Sequence, residues 1–188
     1  MASADKAAQR AELRAARARF VHGLTAVERA RLETQAAAKL MPLIAGARVV
    51  AFYHAIGDEF GCAPAMAAAA AAGIRLALPH VHDRAGAMRF LHWAPGDRLD
   101  AGWRGLLQPV ADSPTTRPDI VVTPLLGFDS SLQRLGQGAG FYDRAFADLP
   151  HVKKIGWGWS VQQLARIACD PWDVPLDAVV TEAGTIGG

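Results

Sequence analysis

Cysteine is scarce in this chain, and the two present, Cys62 and Cys169, stand far apart. They form no Cys-x-x-Cys pair and offer no zinc spacing. That excludes a disulfide framework or a zinc module and fits reduced thiols in the cytosol. Charge of one sign is lacking too. Lys and Arg number 20 against 18 Asp and Glu, a net charge of +2, which is too mild to point to nucleic acid. The one arginine stripe is short and has no aromatic residues interleaved. No run of about 18 apolar residues occurs, so no membrane span is expected. The apolar stretch from Ala63 to Ala72 is alanine-rich and too short. The first residues are charged and helical, without the apolar segment of a secretion signal, so a cytoplasmic location is expected. There is no Gly-x-Ser-x-Gly elbow, no Gly-Lys-Ser/Thr phosphate loop and no dinucleotide fingerprint.

The 188 residues are 51% hydrophobic and 20% charged, which suits one globular domain spanning 1–188. Ser3 to about Val21 reads as a helix with Arg10, Arg14 and Arg17 on one face, a pattern that usually means a solvated face. Thr25 and Glu28 form a capping box that starts a second helix, expected to reach Leu40 before Pro42. Arg48 to Tyr53 reads as a buried strand, followed by a turn at Gly57-Asp58. An alanine helix then runs from Pro64 to Gly73. Strands are expected at Ile74–Leu78, Met88–Trp93, Ile120–Thr123, Lys154–Trp157 and Ala178–Thr181, with mostly loop over Ala94–Pro118. Helices are expected at Phe141–Leu149 and from Ser160 through Ile167. Strands alternating with helices predict an α/β fold: three αβα layers, a mainly parallel, Rossmann-like sheet, and a ligand site beyond the strands' carboxyl ends.

Residues 124–143 read PLLGFDSSLQRLGQGAGFYD. A strand leads in, Gly136, Gly138 and Gly140 follow at alternate positions, and a helix begins. Glycine lets the backbone approach an anion, and the free N–H groups of a helix start point at it. Asp143, in the first helical turn, is placed to hold a divalent cation beside phosphates. His80 and His82 could share one side of a strand end, but no third ligand is visible for zinc.

The run PxxxFDxxxxRLGxGxGFYDR resembles the signature of the 5-formyltetrahydrofolate cyclo-ligase family. So do Gly57-Asp58-Glu59 and the stretch Asp170-Pro171-Trp172-Asp173-Val174-Pro175-Leu176-Asp177-Ala178-Val179-Val180-Thr181-Glu182, in the family's order and spacing. The resemblance implies an enzyme that uses ATP and magnesium to convert 5-formyltetrahydrofolate to 5,10-methenyltetrahydrofolate, releasing ADP and phosphate. It implies that Arg134 clamps phosphate and that Leu135, Gly136, Gln137, Gly138, Ala139, Gly140, Phe141 and Tyr142 cradle ATP. Arg10 and Arg14 reach its phosphates, whereas Arg17 stays solvated. Asp143 and Asp177 hold the metal. Glu59 takes the pterin, with Tyr142 and, less constrained, His54 against the substrate. Trp93, Trp103, Trp157 and Trp159 are candidates for a folate pocket or for ordinary core. Leu132 stands where the family usually has glycine, Phe141 replaces one tyrosine, and Trp172 replaces a residue that is histidine elsewhere. A monomer or weak homo-oligomer is expected. Two other readings use the same residues: a binding protein without catalysis, and an ATP-dependent enzyme acting on another formylated or pterin-like substrate.

Overall fold

A computed structural model describes residues 2–84, 86–170 and 173–188. Pro171 and Trp172, part of the C-terminal resemblance, lie outside the described residues. The chain runs α1 (Ala2–His22), α2 (Ala26–Ile44), β1 (Val49–Ala51), α3 (Ala63–Ala71), β2 (Arg75–His80), β3 (Arg89–His92), β4 (Leu99–Ala101), β5 (Leu107–Pro109), β6 (Ile120–Pro124), β7 (Gly127–Phe128), β8 (Arg134–Leu135), α4 (Phe141–Asp148), β9 (Lys153–Trp157), β10 (Ala178–Val180) and β11 (Thr185–Gly187). Seven strands form one sheet in the order β11-β10-β9-β6-β1-β2-β3. The five central strands are parallel, and β3 and β11 close the edges antiparallel.

Period-two alternation splits the core into two faces. Val50, Phe52, Ile120, Val122, Ile155 and Trp157 pack under α2 and α3. Val49, Ala51, Ala77 and Val121 pack with Ala145 and Phe146 of α4 on the other face. The result is the expected α/β sandwich of three layers. The capping box of α2 forms as predicted, with Glu28 N donating to Thr25 Oγ1 at 3.2 Å and Thr25 N donating to Glu28 Oε2 at 2.8 Å. The helix runs past Pro42 to Ile44.

Three expectations need correction or detail. The helix from Ser160 to Ile167 is only a single 3-10 turn, Ser160–Gln162. The buried Gln162 amide explains this: it donates to the carbonyls of Leu125 at 2.7 Å and Leu126 at 3.0 Å and accepts from Trp159 N at 2.7 Å. Satisfying the amide there ties the turn to the sheet edge and ends the spiral. The segment Ala94–Pro118 is mostly loop, but β4 and β5 pair in it around a 3-10 turn at Trp103–Gly105. Finally, β11 follows the strand expected to be last.

Candidate active site

Several of the loops that reach the site leave the carboxyl ends of parallel strands. Tyr53 and His54 follow β1, Val81 follows β2, and Leu125 and Leu126 follow β6. They line a cavity of ≈ 510 Å³ that the glycine loop and the start of α4 close from one side. The β4–β5 hairpin supplies Trp103, Leu107 and Gln108 to its wall, so the segment read mostly as loop builds part of the site.

The glycine loop is shaped by φ values that other residues rarely adopt. Gly138 has φ +100° and Gly140, the residue preceding α4, has φ +69°. Arg10 of α1 braces the loop by donating from Nε to the Gly136 carbonyl at 3.0 Å. Arg144 ties its far end, with Nη1 donating to the Ala139 carbonyl at 3.0 Å. Arg134 has a side chain only 5% exposed, and it pairs with Asp143. Its guanidinium carbon lies 5.7 Å from the Tyr142 ring centre and 5.9 Å from that of Phe146. Its Nε is buried without a partner. Such a donor carries a desolvation cost that an incoming anion relieves.

Glu59 is held by a turn clamped from three directions. Arg29 of α2 donates to the Glu59 carbonyl at 2.7 Å. Trp159 Nε1 donates to Asp58 O at 3.1 Å, and Trp157 Nε1 to Gly61 O at 3.1 Å. Phe60 stacks on Trp157 with ring centres 4.9 Å apart. These two tryptophans are core residues that position the turn, and of the four candidate tryptophans only Trp103 lines the cavity. Burial pushes the Glu59 carboxyl above the usual range, against the pull of the Ile56 N–H and the Arg17 charge. Burial likewise raises the Tyr142 phenol.

The structure thus brings Arg10, His54, Glu59, Arg134, Leu135, Gly136, Gln137, Gly138, Ala139, Gly140, Phe141, Tyr142 and Asp143 to one cavity. Two expected residues stand elsewhere. Arg14 is exposed and donates to Gln137 Oε1 at 3.0 and 3.2 Å, outside the lining. Asp177 lies at the opposite, amino edge of the sheet, where its carboxylate accepts from Lys154 N at 2.6 Å. Strand direction separates it from the cavity: residues that precede a parallel strand cannot reach the edge where the strand ends.

Other residues fill those places. Lys6 Nζ donates to Asp170 and Asp173, each at 2.6 Å, and all three line the cavity. Burial pulls the Lys6 pKa down, but the bonds and charges of the two carboxylates outweigh it and hold the ammonium above its ordinary value. The sequence signal was present. Lys6 lies one helical turn before Arg10, on the same face, and Asp170 and Asp173 belong to the C-terminal resemblance. Arg17 was expected in solvent and is instead buried.

The cavity offers carboxylate oxygens of the kind magnesium takes, with Asp143 paired to Arg134 and Asp170 and Asp173 to Lys6. Asp143, Asp170 and Asp173 offer carboxylates in the cavity. Among the described residues, no three acidic, His or Cys groups already form a closed cage. Magnesium sites built around nucleotides take one or two carboxylates and complete the shell with phosphate and water.

Comparison with known proteins decides the family. The model of the 5-formyltetrahydrofolate cyclo-ligase family matches residues 2–182. The chain belongs to the 5-formyltetrahydrofolate cyclo-ligase family. It is 34% identical over 167 residues to 5-formyltetrahydrofolate cyclo-ligase of Escherichia coli K12, covering 84% of this chain and 92% of that protein. The Mycolicibacterium smegmatis cyclo-ligase is 32% identical over 146 residues, covering 71% of this chain and 73% of that one. The NMR structure of Aquifex aeolicus 5,10-methenyltetrahydrofolate synthetase superposes with a TM-score of 0.77 at 28% identity, over 96% of this chain and 91% of that one. A Mycoplasma pneumoniae 5,10-methenyltetrahydrofolate synthetase superposes with a TM-score of 0.71 at 25% identity, over 95% and 99% of the two chains. The chain is therefore an enzyme of the cyclo-ligase family with that family's α/β fold, and no described helix is long and apolar enough to cross a membrane.

Proposed function

We propose that this enzyme closes 5-formyltetrahydrofolate to 5,10-methenyltetrahydrofolate at the expense of ATP. The observation that supports this reading best is one cavity holding both a phosphate-type wall and a pterin-type wall. The first is the glycine loop with Arg10, Arg134 and the start of α4. The second is Glu59 with Tyr53, His54 and Tyr142. The two walls bring a γ-phosphate and a formyl oxygen into one small space, which is what in-line transfer needs.

The chemistry divides as follows. The formyl oxygen attacks the γ-phosphorus, an O–P bond forms, and the bond to the β-phosphate oxygen breaks to release ADP. N10 then attacks the formyl carbon, the C–O bond breaks, inorganic phosphate leaves and N10 gives up its proton. Arg134 and the loop N–H groups spread the charge that grows on the transferred group. Glu59 accepts the adjacent N–H and amino donors of the pterin and fixes the ring. Phe141 and Tyr142 pack near it. Asp143, with Asp173 in place of Asp177, would hold magnesium, which when bound neutralises phosphate charge. An oxygen-18 label in the formyl group tests the route. It is expected in inorganic phosphate after one turnover, and label retained in the folate or lost to bulk water would refute a phosphorylated intermediate.

A further inference from the structure

A second hollow, of ≈ 440 Å³, adjoins the cavity and belongs to neither of its two walls. Val81, Trp103 and Gln108 line both spaces, so the two meet along that rim. Alternation at the end of β2 divides them. Pro79 lines the cavity, whereas His80 and His82 line the hollow. Leu107 of the β4–β5 hairpin lines the cavity yet is 40% exposed, which marks this rim as a mouth. The hollow is polar and basic. His80 is only 7% exposed, and its ring makes no hydrogen bond or ion pair with another described residue. A polar group withdrawn from water without a partner is costly, and a ligand that bonds to it relieves the cost. Arg89 of β3 stands directly opposite His80 in the antiparallel pair, so the two share a face of the sheet. Arg89 and His82 are exposed, and neither side chain pairs with a carboxylate among the described residues. Asp100 is the one carboxylate among the described residues that line the hollow, and Arg98 already holds it at 2.8 Å. Burial, together with Arg89 and His82, keeps the His80 imidazole below its ordinary pKa.

We propose that this hollow is an anion subsite for the γ-glutamyl carboxylates of the folate tail, with His80 and His82 donating hydrogen bonds and Arg89 supplying charge. The proposal rests on the folate reading above. 5-Formyltetrahydrofolate is a pterin joined through an aminobenzoyl ring to glutamate, and further γ-linked glutamates extend it as a chain of carboxylates. With the pterin held at Glu59, the apolar ring crosses the rim against Met88, Trp103 and Leu107, and the tail enters the hollow beyond. The cavity itself has its arginines, Arg10 and Arg134, on the glycine-loop side, where phosphate would claim them. The hollow offers the tail donors and positive charge of its own, which is what a row of carboxylates needs.

The test compares two forms of one ligand. Binding of 5-formyltetrahydrofolate monoglutamate and of its γ-linked triglutamate is measured by calorimetry on the full chain. Wild type is expected to bind the triglutamate at least about tenfold more tightly, the size of one charge-assisted hydrogen bond. The double variant His82→Ala with Arg89→Gln is expected to bring the ratio of the two affinities close to unity. His80→Phe, which keeps a ring and loses the donors, is expected to lower the ratio as well. Should His80→Phe lose the fold, the exposed pair decides. Arg48→Gln removes an exposed cation at the amino edge of the sheet and is expected to leave the ratio alone. A wild type that binds both forms equally would overturn the proposal while the folate reading stands. So would a preference that survives in either folded variant, or one lost as fully in Arg48→Gln, which would mean overall charge rather than a site. A wild type that binds neither form would refute the folate reading and the proposal with it.

Discussion

Single residues carry opposing demands here, and Asp143 shows it most plainly. Its carboxylate is both the partner of the buried Arg134 and the group proposed for magnesium. Asp143→Asn keeps an acceptor for Arg134 but loses the charge. Turnover is expected to fall by about 10²–10³-fold, with a stability loss of about 1–2 kcal/mol in denaturant titration. Near-normal turnover would remove Asp143 from the mechanism. Glu59 predicts a pH effect. Its folded pKa is raised, so the carboxyl takes up a proton at a higher pH than an ordinary glutamate, and folate affinity should fall as pH drops through that raised value. In Glu59→Gln the affinity should be weaker at neutral pH and flat across this range; a profile like the wild type would contradict the role. The sequence marks Leu132 as a departure from the signature the chain resembles. It has φ +62° and is the one described non-glycine residue with a positive φ. Asp129 Oδ1 makes the turn without glycine, accepting from Ser131 N at 2.9 Å and Gln133 N at 3.1 Å. Leu132→Gly relieves about 1 kcal/mol of left-handed strain but removes packing on Leu125, Phe128, Leu176 and Val179. The net change is expected within about 1 kcal/mol, against about 2–5 kcal/mol for Leu176→Ala at an ordinary buried position, both read from denaturant midpoints.

At the scale of elements, the glycine loop separates nucleotide from folate. Gly138→Val forces a β-branched residue into φ +100°, with its Cβ 3.6 Å from the Arg10 guanidinium. Strain of about 1–3 kcal/mol must be relieved by moving the loop, so ATP affinity should fall at least about tenfold in calorimetry while folate affinity holds. An equal loss of both would mean that the loop serves the whole cavity. Long, strongly patterned elements were readable from sequence, because burial of one face writes itself into residue spacing. The unbroken apolar run Val49, Val50, Ala51 and Phe52 and the Thr25 cap needed no tertiary information. The β4–β5 hairpin was not readable, because its strands are three residues long and flanked by glycine and proline. The turn at Ser160–Gln162 was misread because the Gln162 amide is satisfied by Leu125 and Leu126, 37 and 36 positions away. Asp177 looked like a ligand by motif alone, and only the direction of β10 puts it on the far edge.

Across the whole molecule, the cavity is joined by distant parts of the chain: α1 through Lys6 and Arg10, the turn after β1, the glycine loop, and the segment around Asp170. Ligand binding should therefore stabilise the entire fold. MgATP at about 100 times its Kd adds about 2.7 kcal/mol, a rise in Tm of roughly 5–10 °C for a chain of this size. Magnesium alone should add little, since the described residues hold no preformed cage. A large shift with magnesium alone would point to a metal site built by the protein itself. The central claim, that the two walls of this cavity serve one reaction, has a direct test. Purified protein is mixed with 5-formyltetrahydrofolate, ATP and magnesium, and the ultraviolet absorbance of the methenyl product is followed. A rise that requires all three additions, with ADP formed in equal amount, is the predicted result. No rise, with ATP still bound, would contradict the account and leave a nucleotide-binding protein or an enzyme for another formylated substrate.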